Sequence, residues 1–433
     1  MSDPNEARLV ADAEAGNGDA QWILSQRCRQ AGDLQGMLRW LSAASRGGQP
    51  DAVDALGFCH EKGWGIARDI AAALAHYDRA IAAGHPMAAF HKAELLYKSR
   101  DAKRHAAEIG ELLAAAARAG AVPALRTIGY LAVQRPSSQP AGLSCLRRAA
   151  GRQDPVSALL LGWQLARDGR GDRGAEAAHF LGEAAAAGMP FAGTLGRALG
   201  AAAVRPAPQD DDVALPEPGA LLFPAARDAD AQTICEDPPI SLYADVLDLF
   251  DCAYLIHLSR PHLRRADVID PDGSARGQVS DVRTNSSTYL PFEYVDFIGR
   301  YIECKIVRET GESLRASEPM SILRYAPGEY YRPHVDYFNP RLPVSERLLE
   351  DGGQRTASAI TYLTTPAAGG DTLFPRLDLS VRSRAGSTLW FRNVDAGGRI
   401  DERTLHAGDT VDHGEKWVVT KWFREQPTRY LAV

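Results

Sequence analysis

Two hydrophobic rhythms divide this chain. Through residue 203 the apolar positions follow a helical period in Ala-rich segments, and each segment ends at a Gly or turn before an Ala opens the next. Six junctions recur: Gly18-Asp-Ala20, Pro50-Asp-Ala52, Gly84-His-Pro-Met-Ala88, Gly120-Ala-Val-Pro-Ala124, Pro155-Val-Ser-Ala158 and Gly188-Met-Pro-Phe-Ala192. Their Ala positions stand 32, 36, 36, 34 and 34 residues apart. That period predicts a solenoid of paired helices, because one pair cannot bury its apolar face alone. Further on, segments rich in β-branched and aromatic residues predict strands, among them Ser321-Ile322-Leu323-Arg324-Tyr325 and Val335-Asp336-Tyr337-Phe338. Between the halves, Arg205-Pro-Ala-Pro-Gln-Asp210-Asp211-Asp212 through Pro216-Glu-Pro-Gly219 is Pro-rich and acidic, with no period. The expected organisation is a helical solenoid over 1–203, a linker over 204–216 and a strand-rich domain over 217–433.

Charge changes at the same boundary. Lys and Arg number 23 against 20 Asp and Glu through residue 203, and 26 against 35 beyond it, which gives +3 and −9 and the chain's net −6. An acidic C-terminal half is a poor match to a groove that tracks nucleic-acid phosphates, so no nucleic-acid partner is expected. No apolar stretch approaches the length needed to span a bilayer, and the opening residues form no secretory segment, so no membrane partner is expected either. The six cysteines, at 28, 59, 145, 235, 252 and 304, form no CxxC pair. They are expected to be thiols in a reducing cytoplasm.

The chemistry centres on His334-Val335-Asp336. In a strand, side chains at i and i+2 share a face, so His334 and Asp336 can reach one metal ion together. The tripeptide pattern alone is weak, and His76-Tyr77-Asp78 also carries it. That copy lies in a helical stretch, where i and i+2 point about 200° apart and cannot chelate. Two imidazoles and one carboxylate, with His406 as the third ligand, can occupy one face of an octahedral ferrous ion and leave three positions open. Lys416, ten residues beyond His406, adds a cation suited to a cosubstrate with a distal carboxylate.

From about Ile240 to Glu425 the chain resembles the prolyl 4-hydroxylase branch of the Fe(II)/2-oxoglutarate dioxygenases. The points of agreement include Arg283-Thr284-Asn285-Ser286, the run from Tyr325 through Gly328, Tyr331, His334 and Asp336 to Phe338, and Gly352-Gly353-Gln354-Arg355. Tyr362-Leu363, Gly369-Gly370-Asp371-Thr372-Leu373-Phe374-Pro375, Leu405-His406-Ala407-Gly408, Gly414-Glu-Lys416-Trp417 and Lys421-Trp422 follow in the family's order. Leu56-Gly57-Phe58, Gly63-Trp64-Gly65-Ile66, Asp69 and Tyr77 resemble the Sel-one-like subfamily of tetratricopeptide-type repeats. The resemblance implies a double-stranded β-helix, a jelly-roll-like barrel, behind the solenoid: a multidomain α plus β protein.

It also implies residue roles. His334, Asp336 and His406 would bind Fe(II), and Lys416 would hold the distal carboxylate of 2-oxoglutarate. Tyr325 and Thr372 would hydrogen-bond that cosubstrate, and Trp422 would form a wall of its pocket. Arg283, Tyr331 and Arg355 would face the substrate, Arg283 from a lid. Dioxygen would be consumed, with ascorbate as reductant, and the products would be succinate, carbon dioxide and a hydroxylated peptidyl residue, prolyl by resemblance. His413 fits no ligand position and reads as a loop residue. Asn285, Ser287 and Asp409-Thr410 depart from the family's usual residues, and the first two bear on the substrate. The alternatives are the same chemistry on another side chain, a free amino acid or a small metabolite, or an inert protein-binding module. The repeats would hold a peptide or protein partner, or only pack against the catalytic domain.

Overall fold

A computed structural model describes residues 4–168, 173–200, 202–204, 214–225, 231–266, 282–291 and 293–431. Its helical portion pairs Gly18–Gln30 with Leu34–Arg46, Pro50–Lys62 with Ile70–Ala82, Ala88–Lys98 with Ala106–Arg118, Val122–Val133 with Gln139–Ala150, and Pro155–Asp168 with Arg173–Ala186. The recurring Ala is why the pairs stack. Ala20, Ala52, Ala88, Ala124, Ala158 and Ala192 are all buried, each at a first turn where a larger side chain would hold neighbouring helices apart. Gly48 and Gly84, four residues ahead of two of them, take φ of 82° and 76°, a conformation that ends one helix and turns the chain into the next. Gly57 serves close approach: a Cβ there would meet the Tyr77 ring at 2.9 Å. Tyr77 then donates to Glu61 at 2.8 Å, so the His76-Tyr77-Asp78 copy lies on a helix whose central residue is structural.

The chain forms two compact units. Residues through Arg152, with 214–222, form one; residues from Gln153 to 204 and from Phe223 onward form the other. The expected boundary at 203 does not match this division. The helices after Gln153 continue the repeat period, but Pro155–Asp168 packs on the helix Leu249–Ser259 of the strand-rich unit, and Arg260 donates to the Gly188 carbonyl at 3.4 Å. A continuous period cannot reveal which neighbour an apolar face will meet. Of the expected linker, residues 205–213 lie outside the described residues. Residues 214–222 pack on the first unit, where the Tyr97 hydroxyl donates to the Leu222 carbonyl at 2.7 Å.

The strands are β1 (Ala231–Cys235), β2 (Ile240–Tyr243), β3 (Arg264–Arg265), β4 (Ser286–Leu290), β5 (Met320–Tyr325), β6 (Tyr331–His334), β7 (Arg355–Tyr362), β8 (Ala368–Gly369), β9 (Thr372–Phe374), β10 (Leu379–Val381), β11 (Thr388–Arg392), β12 (His406–Gly408), β13 (Val411–His413) and β14 (Lys416–Arg424). The large sheet runs β1-β2-β11-β7-β14-β5-β4-β3, a smaller one β10-β9-β12-β6, and β13 pairs with β8. All pairings are antiparallel, and one apolar cluster joins both main sheets through Leu323, Ile360, Leu389 and Val418 on one side and Phe374 and Val381 on the other. Sheets closed over a shared core are the expected jelly-roll layering. Alternation along β14 sorts its residues: Lys416, Val418, Thr420, Trp422 and Arg424 face a cavity between the sheets. Lys421 turns to the opposite face, where it is buried against Glu303 of the helix Phe297–Thr310.

Candidate active site

Strands β6 and β12 pair so that His406 stands opposite His334, with ring centroids 4.3 Å apart. Each Nδ1 lies against a carbonyl two residues earlier, Arg332 at 2.9 Å and Thr404 at 3.0 Å. A carbonyl only accepts, so each Nδ1 carries the proton and each Nε2 keeps its lone pair. The Asp336 carboxylate completes the group, with Oδ1 3.9 Å from His334 Nε2 and Oδ2 3.7 Å from His406 Nε2. One ligand atom from each residue lies within 4.8 Å of the others, and this is the one such group among the described residues. Burial, then His406, pushes the His334 imidazolium well below its ordinary value. Burial alone would raise the Asp336 carboxyl, but His406, His334, Arg355 and the Ser358 hydroxyl hold it low. Two neutral imidazoles and one carboxylate are a donor set that fits a divalent metal such as ferrous iron.

Asp336 departs from the strand expectation. β6 ends at His334 and Val335-Asp336-Tyr337 lies in the bend beyond it, so the carboxylate is aimed by its contacts and not by strand alternation. His413 is likewise not a loop residue; it closes β13, exposed to solvent.

The cavity has a volume of about 720 Å³ and includes His334, Asp336 and His406 in its wall. Lys416 begins β14 opposite Tyr325 on β5, at 2 % exposure. Among the described residues no carboxylate lies within ion-pair distance of it. Its Nζ meets the Asp371 carbonyl at 3.4 Å and the rings of Tyr325 and Tyr362 at 5.5 and 5.8 Å. Burial pushes its ammonium down to about 8, with Asp371 and Asp409 opposing. A buried cation with no counter-charge is costly, which marks this end of the cavity as built for an anion. The Tyr362 hydroxyl donates to Thr372 Oγ1 at 2.9 Å, leaving the Thr372 proton for another acceptor.

The other end holds Arg355. Its guanidinium grips Glu318 through two bonds of 2.7 Å, donates to the Asp336 carbonyl at 3.2 Å and lies over the Trp422 ring at 3.8 Å. Arg355 reaches this face because the register between β7 and β14 slips at Thr356; without that irregularity it would point away from Ser358 and Ile360. Trp422 lines the same cavity as Lys416 but six residues along the strand, about 20 Å away. It therefore stands with Arg355 and not beside Lys416. Its indole Nε1–H is buried with no partner among the described residues. Tyr331 stacks on His334 at 3.5 Å, and Arg283 covers Tyr331 at 4.8 Å while donating to Asn285 at 3.0 Å. Tyr289, half exposed, extends the aromatic wall with its ring 6.4 Å from Trp422.

Sequence reasoning gave no role to Ser358, Asn393, Glu318, Tyr289 or the Tyr362 hydroxyl. Ser358 and Asn393 carry no motif, and only the pairing of β7 with β11 brings them together. Tyr362 lies within a matched dipeptide, where its place beside Thr372 could have been inferred.

The sequence profile of the 2OG-Fe(II) oxygenase superfamily matches residues 320–424. Prolyl 4-hydroxylase 1 of Arabidopsis thaliana is 32% identical over 211 residues, covering 46% of this chain and 72% of the plant protein. A viral collagen prolyl hydroxylase from Paramecium Bursaria Chlorella virus-1, solved with 2OG, is 24% identical over 44% of this chain and 98% of its own, with a TM-score of 0.34. A Sel1 repeat protein from Oxalobacter formigenes is 26% identical over 28% of this chain and 93% of its own, with a TM-score of 0.24.

Proposed function

This chain belongs to the 2OG-Fe(II) oxygenase superfamily as a prolyl 4-hydroxylase-like dioxygenase, and from that premise we propose that it hydroxylates prolyl residues in a peptide or protein. One observation carries the reading: a buried lysine without a counter-ion shares a cavity with two imidazoles and a carboxylate whose donor atoms converge. His334, Asp336 and His406 would hold the iron. When bound, the iron with 2-oxoglutarate and dioxygen would supply the oxidising power for C–H hydroxylation, and ascorbate would serve only to return iron oxidised outside the coupled reaction to Fe(II). Lys416 pairs with the distal carboxylate of 2-oxoglutarate, and the Thr372 hydroxyl and Tyr325 line the same end. Arg355 is held rigid by Glu318, so it presents a fixed charged edge to the acceptor. Tyr289, Tyr331 and Trp422 offer aromatic faces of the kind that proline-rich peptides pack against. A reducing cytoplasm is the setting we infer, which the six unpaired cysteines support; among the described residues no helix is long and apolar enough to cross a membrane.

Loading the purified protein with Fe(II), 2-oxoglutarate and proline-rich peptides tests this. Succinate and peptides heavier by one oxygen at proline should form in equal amounts. Succinate formation with no modified peptide would shift the acceptor to a small molecule, and no iron-dependent succinate would mean an inert binding module.

Lys416→Ala should raise the apparent requirement for 2-oxoglutarate at least about tenfold, because a charge-assisted bond is typically worth about 1.5–3 kcal/mol. A saturation curve unchanged from wild type would assign that carboxylate to another residue. Affinity should also depend on pH. The binding form of Lys416 is the ammonium, which in the free protein persists below about 8. Affinity should therefore be full below that pH and fall as pH rises through it, by up to about tenfold per unit. Calorimetric titration across that range would show it, and a flat profile would contradict the charged-lysine reading.

A further inference from the structure

We propose that Ser358 and Asn393 form a hydrogen-bond relay that restricts Asp336 to coordinating the metal through one oxygen, making both of them positioning residues. The Ser358 hydroxyl donates to Asp336 Oδ2 at 2.7 Å, and Asn393 Nδ2 donates to Ser358 Oγ at 3.1 Å. The direction of this chain is dictated by chemistry. An ionised carboxylate only accepts, so the single Ser358 proton points at Asp336, and the amide must turn its NH2 to the serine oxygen. Asn393 Oδ1 is left buried and without a partner among the described residues, a cost the protein bears in keeping that orientation.

The parts of the relay are fixed. Ser358 and Asn393 are fully buried. Ser358 lies mid-strand in β7, opposite Phe391 of β11. Asn393 follows β11, with its N–H bonded to the Thr356 carbonyl at 2.8 Å and its carbonyl accepting from Asp401 N at 3.0 Å. Asp336 itself sits in a bend, with no strand ladder to aim it. Both carboxylate oxygens face an imidazole, Oδ1 at 3.9 Å from His334 Nε2 and Oδ2 at 3.7 Å from His406 Nε2, but the Ser358 proton takes a lone pair of Oδ2 and weakens it as a donor, which leaves Oδ1 the stronger ligand atom. A carboxylate bound through both oxygens would take a metal position that the chelating keto-acid end of 2-oxoglutarate requires. The relay therefore does two things: it orients the ligand and it keeps three metal positions open.

The inference rests on Asp336 being a metal ligand, and the test separates the two. Cobalt(II) is titrated into the full-length protein against a chelating indicator, and the visible spectrum of bound cobalt reports its coordination. Wild type binding no cobalt would remove the ligand role and the relay with it. Given wild-type binding, Ser358→Ala and Asn393→Asp should each weaken cobalt affinity by about 10–100-fold. Asn393→Asp keeps the shape but replaces the donor by a competing acceptor, and it carries the test if Ser358→Ala does not fold. At saturating cobalt, the spectrum of both variants should shift toward higher coordination. The control is Thr361→Val on the same strand, whose hydroxyl pairs with Thr388 at 2.8 Å on the face turned away from the cavity. It should lower the melting temperature and leave cobalt affinity and spectrum as in wild type. A folded Asn393→Asp protein with wild-type affinity and spectrum would overturn the proposal, as would equal weakening by Thr361→Val.

Discussion

His334→Ala is expected to abolish 2-oxoglutarate turnover while leaving the protein folded. The imidazole contributes one of three converging donors, and its Nε2 lone pair is exposed to the cavity because Nδ1 is bound to the Arg332 carbonyl. Two remaining donors, Asp336 and His406, cannot define a triangular face, so both metal affinity and the orientation of the open positions are lost. The structural cost is small by comparison. The ring stacks on Tyr331 at 3.5 Å, a contact worth about 0.5–1.5 kcal/mol, against the several kcal/mol that hold a domain together. Succinate formation, metal content and a thermal melt measured on one preparation would check the three parts together. A His334→Ala protein with full metal content and full turnover would remove His334 from the metal site.

Where local pattern decided geometry, the sequence was informative. The six periodic Ala residues are the buried first-turn residues of successive helices, and the strand expected at Ser321–Tyr325 is the core of β5. His334, His406 and Lys416 reach one cavity because they stand on strands that pair with their neighbours in register, while Asp336 reaches it from the bend just past β6. What could not be read depends on partners distant in sequence. Ser358 and Asn393 are 35 residues apart and meet only across β7 and β11. Glu318 matters because Arg355 and Arg424 both bond to it, and no local pattern announces that. Trp422 shares a strand with Lys416, yet its distance along the ladder places it beside Arg355 and Tyr289. The contact division after Arg152 departs from the composition change at 203 for a related reason: repetition specifies the shape of a helix pair, not the surface against which its last copy docks.

That last copy sets the second large effect. A fragment of residues 217–433, cut at the composition change, is expected to be markedly less stable than a fragment of residues 153–433. Pro190 and Phe191 border a cavity of about 400 Å³ with Leu249, Ile256, Leu363 and Trp417 of the strand-rich unit. Ile256, Leu363 and Trp417 are almost fully buried, and Arg260 bonds Gly188 beside them. Removing the helices after Gln153 opens that face to water. Re-exposing two such side chains costs about 3 kcal/mol or more. For a unit of this size that lowers the melting temperature by roughly 6–12 °C. Both fragments lack the partners of Leu222 in the first unit, so the difference between them isolates the contribution of residues 153–216. The longer fragment should also keep 2-oxoglutarate turnover on a short peptide, since every cavity residue lies within it. If the repeats through Arg152 hold a protein target, they act through effective concentration, and their removal should reduce efficiency only on the intact target. Circular dichroism melts of the two fragments, with turnover measured on each, decide the boundary. Equal melting temperatures would restore the division at 203 and leave the last helix pair as one more repeat of the solenoid.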